Sequence, residues 1–206
     1  MRKKSLFAIL LFVVFSVSIF YSLIFYQKGI VMIEEGQILS EAERICKGEV
    51  LYRDIDGFVS PGVWYTVAFI FKLFGQSLNL TRWVMVVLFS LTAGLLYAIS
   101  SHFISSWKAL VPVFLLLMHK ALAFPIGNFI NYNEFAIFFG FLSLFLWFLF
   151  LDTGKKRYLF FAGTSLGLTI SFKQTTGIYL FIGFCALVLF SGKRKDNKYR
   201  KIFTII

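Results

Sequence analysis

The chain has 206 residues, of which 59% are hydrophobic, 20% are aromatic and only 15% are charged. A soluble domain has about a quarter of its residues charged, so this composition excludes a soluble globular protein and indicates that lipid surrounds most of the chain. The net charge of +11 comes with basic clusters placed between apolar runs. Such clusters are typical of the cytoplasmic flanks of membrane helices and not of a nucleic-acid-binding surface.

Six apolar stretches are predicted to cross the membrane, since a span needs about 20 residues. The first is longer than the hydrophobic part of a signal peptide, about 7–15 residues, which favours a true membrane anchor. A further stretch, 61–74, is short, begins with Pro61 and contains Lys72. The six predicted spans are 5–26, 81–101, 109–125, 134–151, 158–172 and 174–191.

The basic clusters at 1–4, 155–157 and 193–195 predict the topology. Lysine and arginine concentrate on the cytoplasmic side, so an even number of spans must separate each pair of clusters. Five candidate stretches lie between the first two clusters, so one of them must not cross. The weakest is 61–74, which is predicted to lie as an interfacial helix on the outer surface. The prediction is a cell-membrane protein with a cytoplasmic N-terminus and an extracytoplasmic loop at 27–80.

Two surface helices are predicted within this outer loop, at 36–47 and at 61–74. In the first, apolar residues recur at helical spacing and Gly48 is a natural stop. In the second, Ser60 is predicted as the N-cap, with Pro61 at the first helical position and Gly75 at the end. The polar face of the first helix is predicted to carry Glu41, Glu43, Arg44 and Lys47.

Glu34 and Glu35, directly after the first span, have two interpretations. Acids at a helix N-terminus stabilise the helix dipole, and a carboxylate at the lipid interface can also act as a general base on a hydroxyl. Lys173 and Gln174 lie at the outer end of the fifth span, where a lysine either snorkels to the interface or binds a lipid phosphate. Asn133 lies in the outer turn before the fourth span, where polar residues often only satisfy backbone groups.

Short motifs occur in a specific order along the chain. They are Ile33-Glu34-Glu35-Gly36, Glu49-Val50-Leu51-Tyr52-Arg53-Asp54, Ser60-Pro61-Gly62, Phe71-Lys72-Leu73-Phe74-Gly75, Tyr132-Asn133, the pair Gly163 and Gly167, and Lys173-Gln174. This order resembles that of polytopic GT-C glycosyltransferases, in particular the bacterial relatives of protein O-mannosyltransferases and lipid A aminoarabinose transferases (glycosyltransferase family 39). The fold that this resemblance implies is an all-α integral membrane module of about six transmembrane helices and two outer-face interfacial helices.

The resemblance implies transfer of a sugar from a polyprenyl-phosphate donor to an extracytoplasmic glycan, lipid or protein acceptor, with inversion. Glu34 would be the base, with Glu35 beside it, and Arg53 and Lys173 would bind the lipid phosphate. Gln174 and Asn133 are further candidates for substrate binding. No cofactor and no nucleic-acid partner are predicted, and the need for a divalent metal is left open.

Three features depart from the family pattern. The family usually has an aspartate at the position of Glu34, and many relatives have a lysine just before the proline, where Val59 and Ser60 stand here. The later spans of the family are missing, so residues 1–206 are predicted to be a single module and the N-terminal portion of a longer protein. The alternatives are a non-catalytic polytopic membrane protein, such as a transporter or an assembly subunit, and an inactive fragment.

Overall fold

A computed structural model describes residues 2–29, 34–57, 60–122 and 129–192. The regular secondary structure of these residues is helical, joined by short connections. The helices are α1 (Arg2–Phe25), α2 (Glu34–Cys46), α3 (Gly62–Phe74), α4 (Leu78–Phe103), α5 (Leu110–Leu122), α6 (Tyr132–Thr153), α7 (Lys156–Phe172) and α8 (Gln174–Gly192).

Three of these helices, α1, α4 and α6, are long and apolar enough to cross a membrane. Their apolar segments have 21, 26 and 22 residues, which at 1.5 Å per residue span the hydrocarbon core of about 30 Å. Helices α5, α7 and α8 occupy the other three predicted spans. The described part of α5 has 13 residues and α7 has 17. The apolar helices establish a membrane protein, and crossing by all six stays a prediction.

The helices expose large apolar side chains on their outer surfaces and contact one another through small residues. Phe12, Phe20 and Phe160 are each about 70% exposed, as expected of side chains that face lipid. Between α6 and α7, the Ser143 hydroxyl donates to the carbonyl oxygen of Ala162 at 2.9 Å. Small residues of this kind let membrane helices approach closely, because lipid itself gives little hydrophobic drive for their association.

Helices α2 and α3 pack against each other and against α4, α6 and α7, so the outer loop is a folded layer. Their shared core includes Ala42 of α2, Trp64 of α3, Met85 of α4 and Phe172 of α7. Helices therefore occupy the two stretches of the loop in which the sequence predicts them, with α2 beginning at Glu34 instead of Gly36. Their placement on a membrane surface stays a prediction.

The predicted start of α3 is wrong by one residue. The helix begins at Gly62, Pro61 occupies the cap position with helical dihedrals (φ −71°, ψ −14°), and no side chain caps it. Gly62 packs against the end of α7, where a Cβ atom would lie 2.6 Å from the carbonyl oxygen of Ser171. Ser60 is buried and does not act as the cap. Gly75 ends the helix as predicted, with φ 85°.

The predicted position of Glu41 on the polar face of α2 is also wrong. Glu41 is buried, and its Oε1 accepts a hydrogen bond from Nε2 of Gln37 at 2.9 Å. The cause is geometric: Glu41 follows Ile38 by three residues, so it shares the face of α2 that packs against the neighbouring helices.

Candidate functional site

A cleft of about 360 Å³ opens where the outer loop, the start of α6 and the junction of α7 and α8 meet. Its volume lies in the range of about 300–1,000 Å³ that is usual for small-molecule sites. A larger space of about 430 Å³ between α6, α7 and α8 has an apolar lining without a charged group, so the cleft is the better candidate for chemistry. The cleft is lined by Tyr52, Gly57, Ser60, Tyr132, Phe172, Lys173, Gln174 and Thr175.

Lys173 is the single residue between α7 and α8. Its backbone is extended (φ −148°, ψ 103°), while its N–H still donates to the carbonyl oxygen of Thr169 at 2.8 Å. Gly177 allows this tight junction, because a Cβ atom there would lie 2.8 Å from the backbone nitrogen of Ile170. Helix α8 therefore begins at the cleft, and its first N–H groups have no carbonyl partner within the helix.

The ammonium group of Lys173 connects this junction to the first turn of α6. Its Nζ donates to Oδ1 of Asn133 at 2.7 Å and lies 5.9 Å from the centre of the Tyr132 ring. An ammonium has three N–H donors, so the bond to Asn133 leaves capacity for an anion. The predicted site residues Lys173 and Gln174 thus come together with Asn133, which lies 40 positions before Lys173 in the sequence.

Glu35 has a different environment, in a buried ion pair with Arg82. Its Oε1 accepts from Nε of Arg82 at 3.1 Å and its Oε2 accepts from Nη2 at 2.8 Å. Arg82 also donates to the carbonyl oxygens of Tyr26 and Gly29, at 3.3 and 2.9 Å. This pair joins α2, the connection after α1 and the first turns of α4. The sequence prediction missed Arg82; the available signal was a single arginine inside an otherwise apolar span.

Glu34 and Glu35 therefore differ in exposure and in their partners. Glu35 is 1% exposed and bound by Arg82 through both carboxylate oxygens. Glu34 is exposed at the first residue of α2, where the helix dipole favours a negative charge. Of the two carboxylates, Glu34 is the exposed one, and neither lines the cleft.

Arg53 is exposed and paired with its neighbour. Its Nη2 lies 2.7 Å from Oδ2 of Asp54, and its side chain is 69% exposed. The hydrogen bond from Arg53 is the main cause that lowers the pKa of Asp54 to about 2, followed by the backbone N–H of Val50. The same bond raises the pKa of Arg53. The cleft wall on this side of the molecule comes from Tyr52, which the sequence prediction did not single out.

Within the described ranges, no three histidine, cysteine, aspartate or glutamate side chains come together as metal ligands. Cys46 and Cys185 are free thiols. The groups that the cleft offers are an ammonium, one side-chain amide, hydroxyls and aromatic rings. Such a set can bind a phosphate and a polyhydroxylated ligand side by side.

The family model of dolichyl-phosphate-mannose-protein mannosyltransferases matches residues 59–206, well over half of the chain. The chain belongs to this family. No curated protein and no solved structure matches the chain. As a member of the dolichyl-phosphate-mannose-protein mannosyltransferase family, it is a membrane glycosyltransferase of the GT-C type.

The extent of the match separates the predicted site residues into two groups. The cleft residues Lys173 and Gln174, and Asn133, which is hydrogen-bonded to Lys173, lie inside the part of the chain that matches the mannosyltransferase family. The match begins at residue 59, so α2 and Arg53 lie before it. A role for Glu34 therefore depends on the order of the motifs and on its exposed position, and not on the family match.

Proposed function

We propose that this protein transfers a sugar from a polyprenyl-phosphate carrier to an acceptor on the extracytoplasmic face of the cell membrane, with inversion at the anomeric carbon. The observation that carries the proposal is the cleft with Lys173 hydrogen-bonded to Asn133, inside the part of the chain that matches the mannosyltransferase family. The family description names dolichyl-phosphate-mannose as the donor and protein as the acceptor. A glycan or a lipid is an equally suitable acceptor for the chemistry proposed here.

The phosphate of the carrier would bind at Lys173. Three features favour an anion there: the ammonium group, the N-terminus of α8, and the N-terminus of α6, whose first residue Tyr132 also lines the cleft. A helix N-terminus carries about half a unit of positive charge and presents free N–H groups. The side-chain amide of Gln174 adds a further donor. Charge-assisted hydrogen bonds of this kind are about twice as strong as neutral ones.

Arg53 would supply a second cation to the phosphate. It neighbours Tyr52 on the outer loop, and its ion pair with Asp54 is exposed. Exposed ion pairs are weak in water, so an incoming phosphate can compete for the guanidinium. Lys173 remains the primary phosphate ligand in this proposal, because it already lines the cleft.

The reaction is a single displacement. The acceptor hydroxyl gives its proton to the carboxylate of Glu34, and its oxygen forms a bond to the anomeric carbon. The bond between that carbon and the phosphate oxygen breaks, and its electron pair leaves with the polyprenyl phosphate. Lys173 stabilises the charge that develops on this leaving group. Attack opposite the leaving group inverts the anomeric configuration.

The contacts between helix ends agree with the proposed topology. Ser60, Tyr132 and Lys173 line one cleft, and all three are predicted to be extracytoplasmic. His102 at the end of α4 lies 3.7 Å from Asp152 at the end of α6, and both are predicted to be cytoplasmic. Each set of contacts therefore joins residues for which the sequence predicts the same side of the membrane, which supports the proposed topology.

Reporter fusions test this topology. We expect a reporter fused after Gly57 to be active outside the cell and a reporter fused after Gly154 to be active inside. Alkaline phosphatase, which needs an oxidising compartment, and a fluorescent protein that matures in the cytoplasm give opposite readouts for each site. The reverse pattern would place the cleft on the cytoplasmic side and contradict an extracytoplasmic acceptor.

Replacing Lys173 tests the phosphate site. We expect Lys173→Met to lower kcat/KM for the lipid-linked donor by about 10–100-fold, because a hydrogen bond to a charged group contributes about 1.5–3 kcal/mol. The measurement is transfer of labelled mannose from a polyprenyl-phosphate donor by membranes that contain the full-length protein. Lys72→Met is the matched control, since Lys72 is exposed on α3 and does not line the cleft. Equal kcat/KM values in the two variants would exclude Lys173 from donor binding.

A further inference from the structure

We infer that Tyr52 forms the wall of the cleft against which the sugar ring of the lipid-linked donor stacks. This inference depends on the proposed function and extends it to the residue that recognises the sugar. Three observations support it: the backbone conformation of Tyr52, the contacts of the loop that carries Tyr52, and the residues that line the cleft around the Tyr52 ring.

Tyr52 has a backbone conformation that is unusual for its side chain. Its φ is 67°, and among the described residues no other non-glycine residue has a positive φ. The left-handed region is unfavourable for a residue with a bulky side chain. The loop holds this conformation through a hydrogen bond from the Tyr52 N–H to the carbonyl oxygen of Ile55 at 2.9 Å. Leu51 and Ile55, on either side of the turn, are 4% and 2% exposed and belong to the core under α2 and α3.

Asp54 and Arg44 fix the same loop from the other side. The backbone N–H of Val50 donates to Oδ2 of Asp54 at 2.8 Å, and the N–H of Asp54 donates to the carbonyl oxygen of Val50 at 2.9 Å. Nη2 of Arg44, on α2, donates to the carbonyl oxygen of Asp54 at 2.8 Å. The turn is therefore rigidly attached to α2, and the unfavourable φ of Tyr52 is maintained by the contacts around it.

Gly57 fixes the orientation of the Tyr52 ring. A Cβ atom at Gly57 would lie 2.7 Å from Cε1 and 3.0 Å from Cδ1 of that ring, so the ring lies directly against the backbone of Gly57. The side of the ring away from Gly57 is accessible, since Tyr52 is 55% exposed and lines the cleft. A rigid loop thus presents an aromatic face to the space beside Lys173.

The polar and aromatic groups around the Tyr52 ring suit a bound sugar better than a bound prenyl chain. A pyranose has a face of C–H groups, which packs against an aromatic ring, and hydroxyls at its edge, which need hydrogen-bond partners. The cleft supplies the rings of Tyr52 and Tyr132, the hydroxyls of Ser60 and Thr175, and the amide of Gln174. A prenyl chain would leave these polar groups unpaired. The sugar and the phosphate of the donor are bonded to each other, so a phosphate at Lys173 places the sugar in the same cleft.

Binding of two probes to the purified full-length protein tests this inference. The probes are farnesyl phosphate, used as its methyl ester, and farnesyl-phosphate-mannose, so both are phosphate diesters of equal charge and differ by a methyl group against mannose. Tyr52→Asn removes the ring and keeps a residue that tolerates a positive φ. We expect Tyr52→Asn to weaken binding of the mannosylated probe about tenfold, the typical scale of one aromatic contact, and to leave farnesyl phosphate binding unchanged. Lys173→Met should weaken binding of both probes.

Two further variants control for indirect effects. Gly57→Ala should displace the Tyr52 ring and weaken binding of the mannosylated probe alone. Phe69→Ala removes an exposed ring of α3 that does not line the cleft and should change neither affinity. If mannose adds no affinity in the wild type, or if Tyr52→Asn retains the added affinity, the inference is overturned. If the wild type binds farnesyl phosphate no better than Lys173→Met does, the proposed phosphate site fails and the inference fails with it.

Discussion

Replacing Glu34 with glutamine in the full-length protein should lower the rate of sugar transfer by about 10²–10⁴-fold, the usual contribution of a general base. An amide has nearly the shape of a carboxylate, but it cannot accept the proton of the acceptor hydroxyl. Glu34 is exposed at the start of α2, so the change should not affect folding. The measurement is the transfer rate at saturating donor, together with the KM for the donor, which should stay close to the wild-type value.

Two matched variants make this result specific. Glu34→Asp keeps the carboxylate and should retain much of the activity, although the shorter side chain can misplace the base by about an ångström. Glu43→Gln removes an acid from the same helix, where Glu43 pairs with Lys47 at 2.8 Å, and should leave transfer unchanged. Glu34→Gln with wild-type transfer would show that another group takes the proton, and the proposed mechanism would then be wrong at its first step.

The sequence was sufficient to predict the helices and part of the cleft because these depend on strong local signals. Long apolar stretches predicted the helices, and Gly48, Gly75 and Lys173 lie where helices end. The predicted topology places Asn133, Lys173 and Gln174 on one side of the membrane. In the structure, Lys173 and Gln174 line the cleft and Lys173 donates to Asn133. Residues at the same ends of packed helices come together whatever the details of the packing.

The remaining features depend on tertiary contacts that leave no periodic signal. Arg82 follows Glu35 by 47 positions, and an arginine in the first turns of an apolar span is usually a residue that snorkels to the interface. Glu41 is buried only because α2 packs onto its neighbours. The exposed ring of Tyr52 depends on a turn closed by contacts with Ile55 and Gly57. The spacing of Glu41 from Ile38 places it on the packed face of α2, but the contacts of Arg82 with Glu35 and of Tyr52 with Ile55 and Gly57 could not be predicted from composition or spacing.

The buried ion pair is the contact whose loss should cost the most stability. Removing one partner of a buried pair leaves an uncompensated charge and costs about 3–5 kcal/mol. Arg82 and Glu35 are 5% and 1% exposed, so Arg82→Met should lower the Tm of the detergent-solubilised protein by several degrees. Lys47→Met is the control, because it breaks an ion pair whose lysine side chain is 65% exposed. Its Tm should remain close to that of the wild type.

A double-mutant cycle separates the ion pair from the other bonds of Arg82. If the pair provides most of the stabilisation, Arg82→Met combined with Glu35→Gln should lower the Tm by less than the sum of the two single changes, because neither partner is left charged and buried. Arg82 also holds the carbonyl oxygens of Tyr26 and Gly29, so part of the loss should persist in the double variant. The same variants should lower transfer even where they remain folded, since α2 carries Glu34 and is held to α4 by this pair. Strictly additive losses in Tm would contradict the coupling between Glu35 and Arg82.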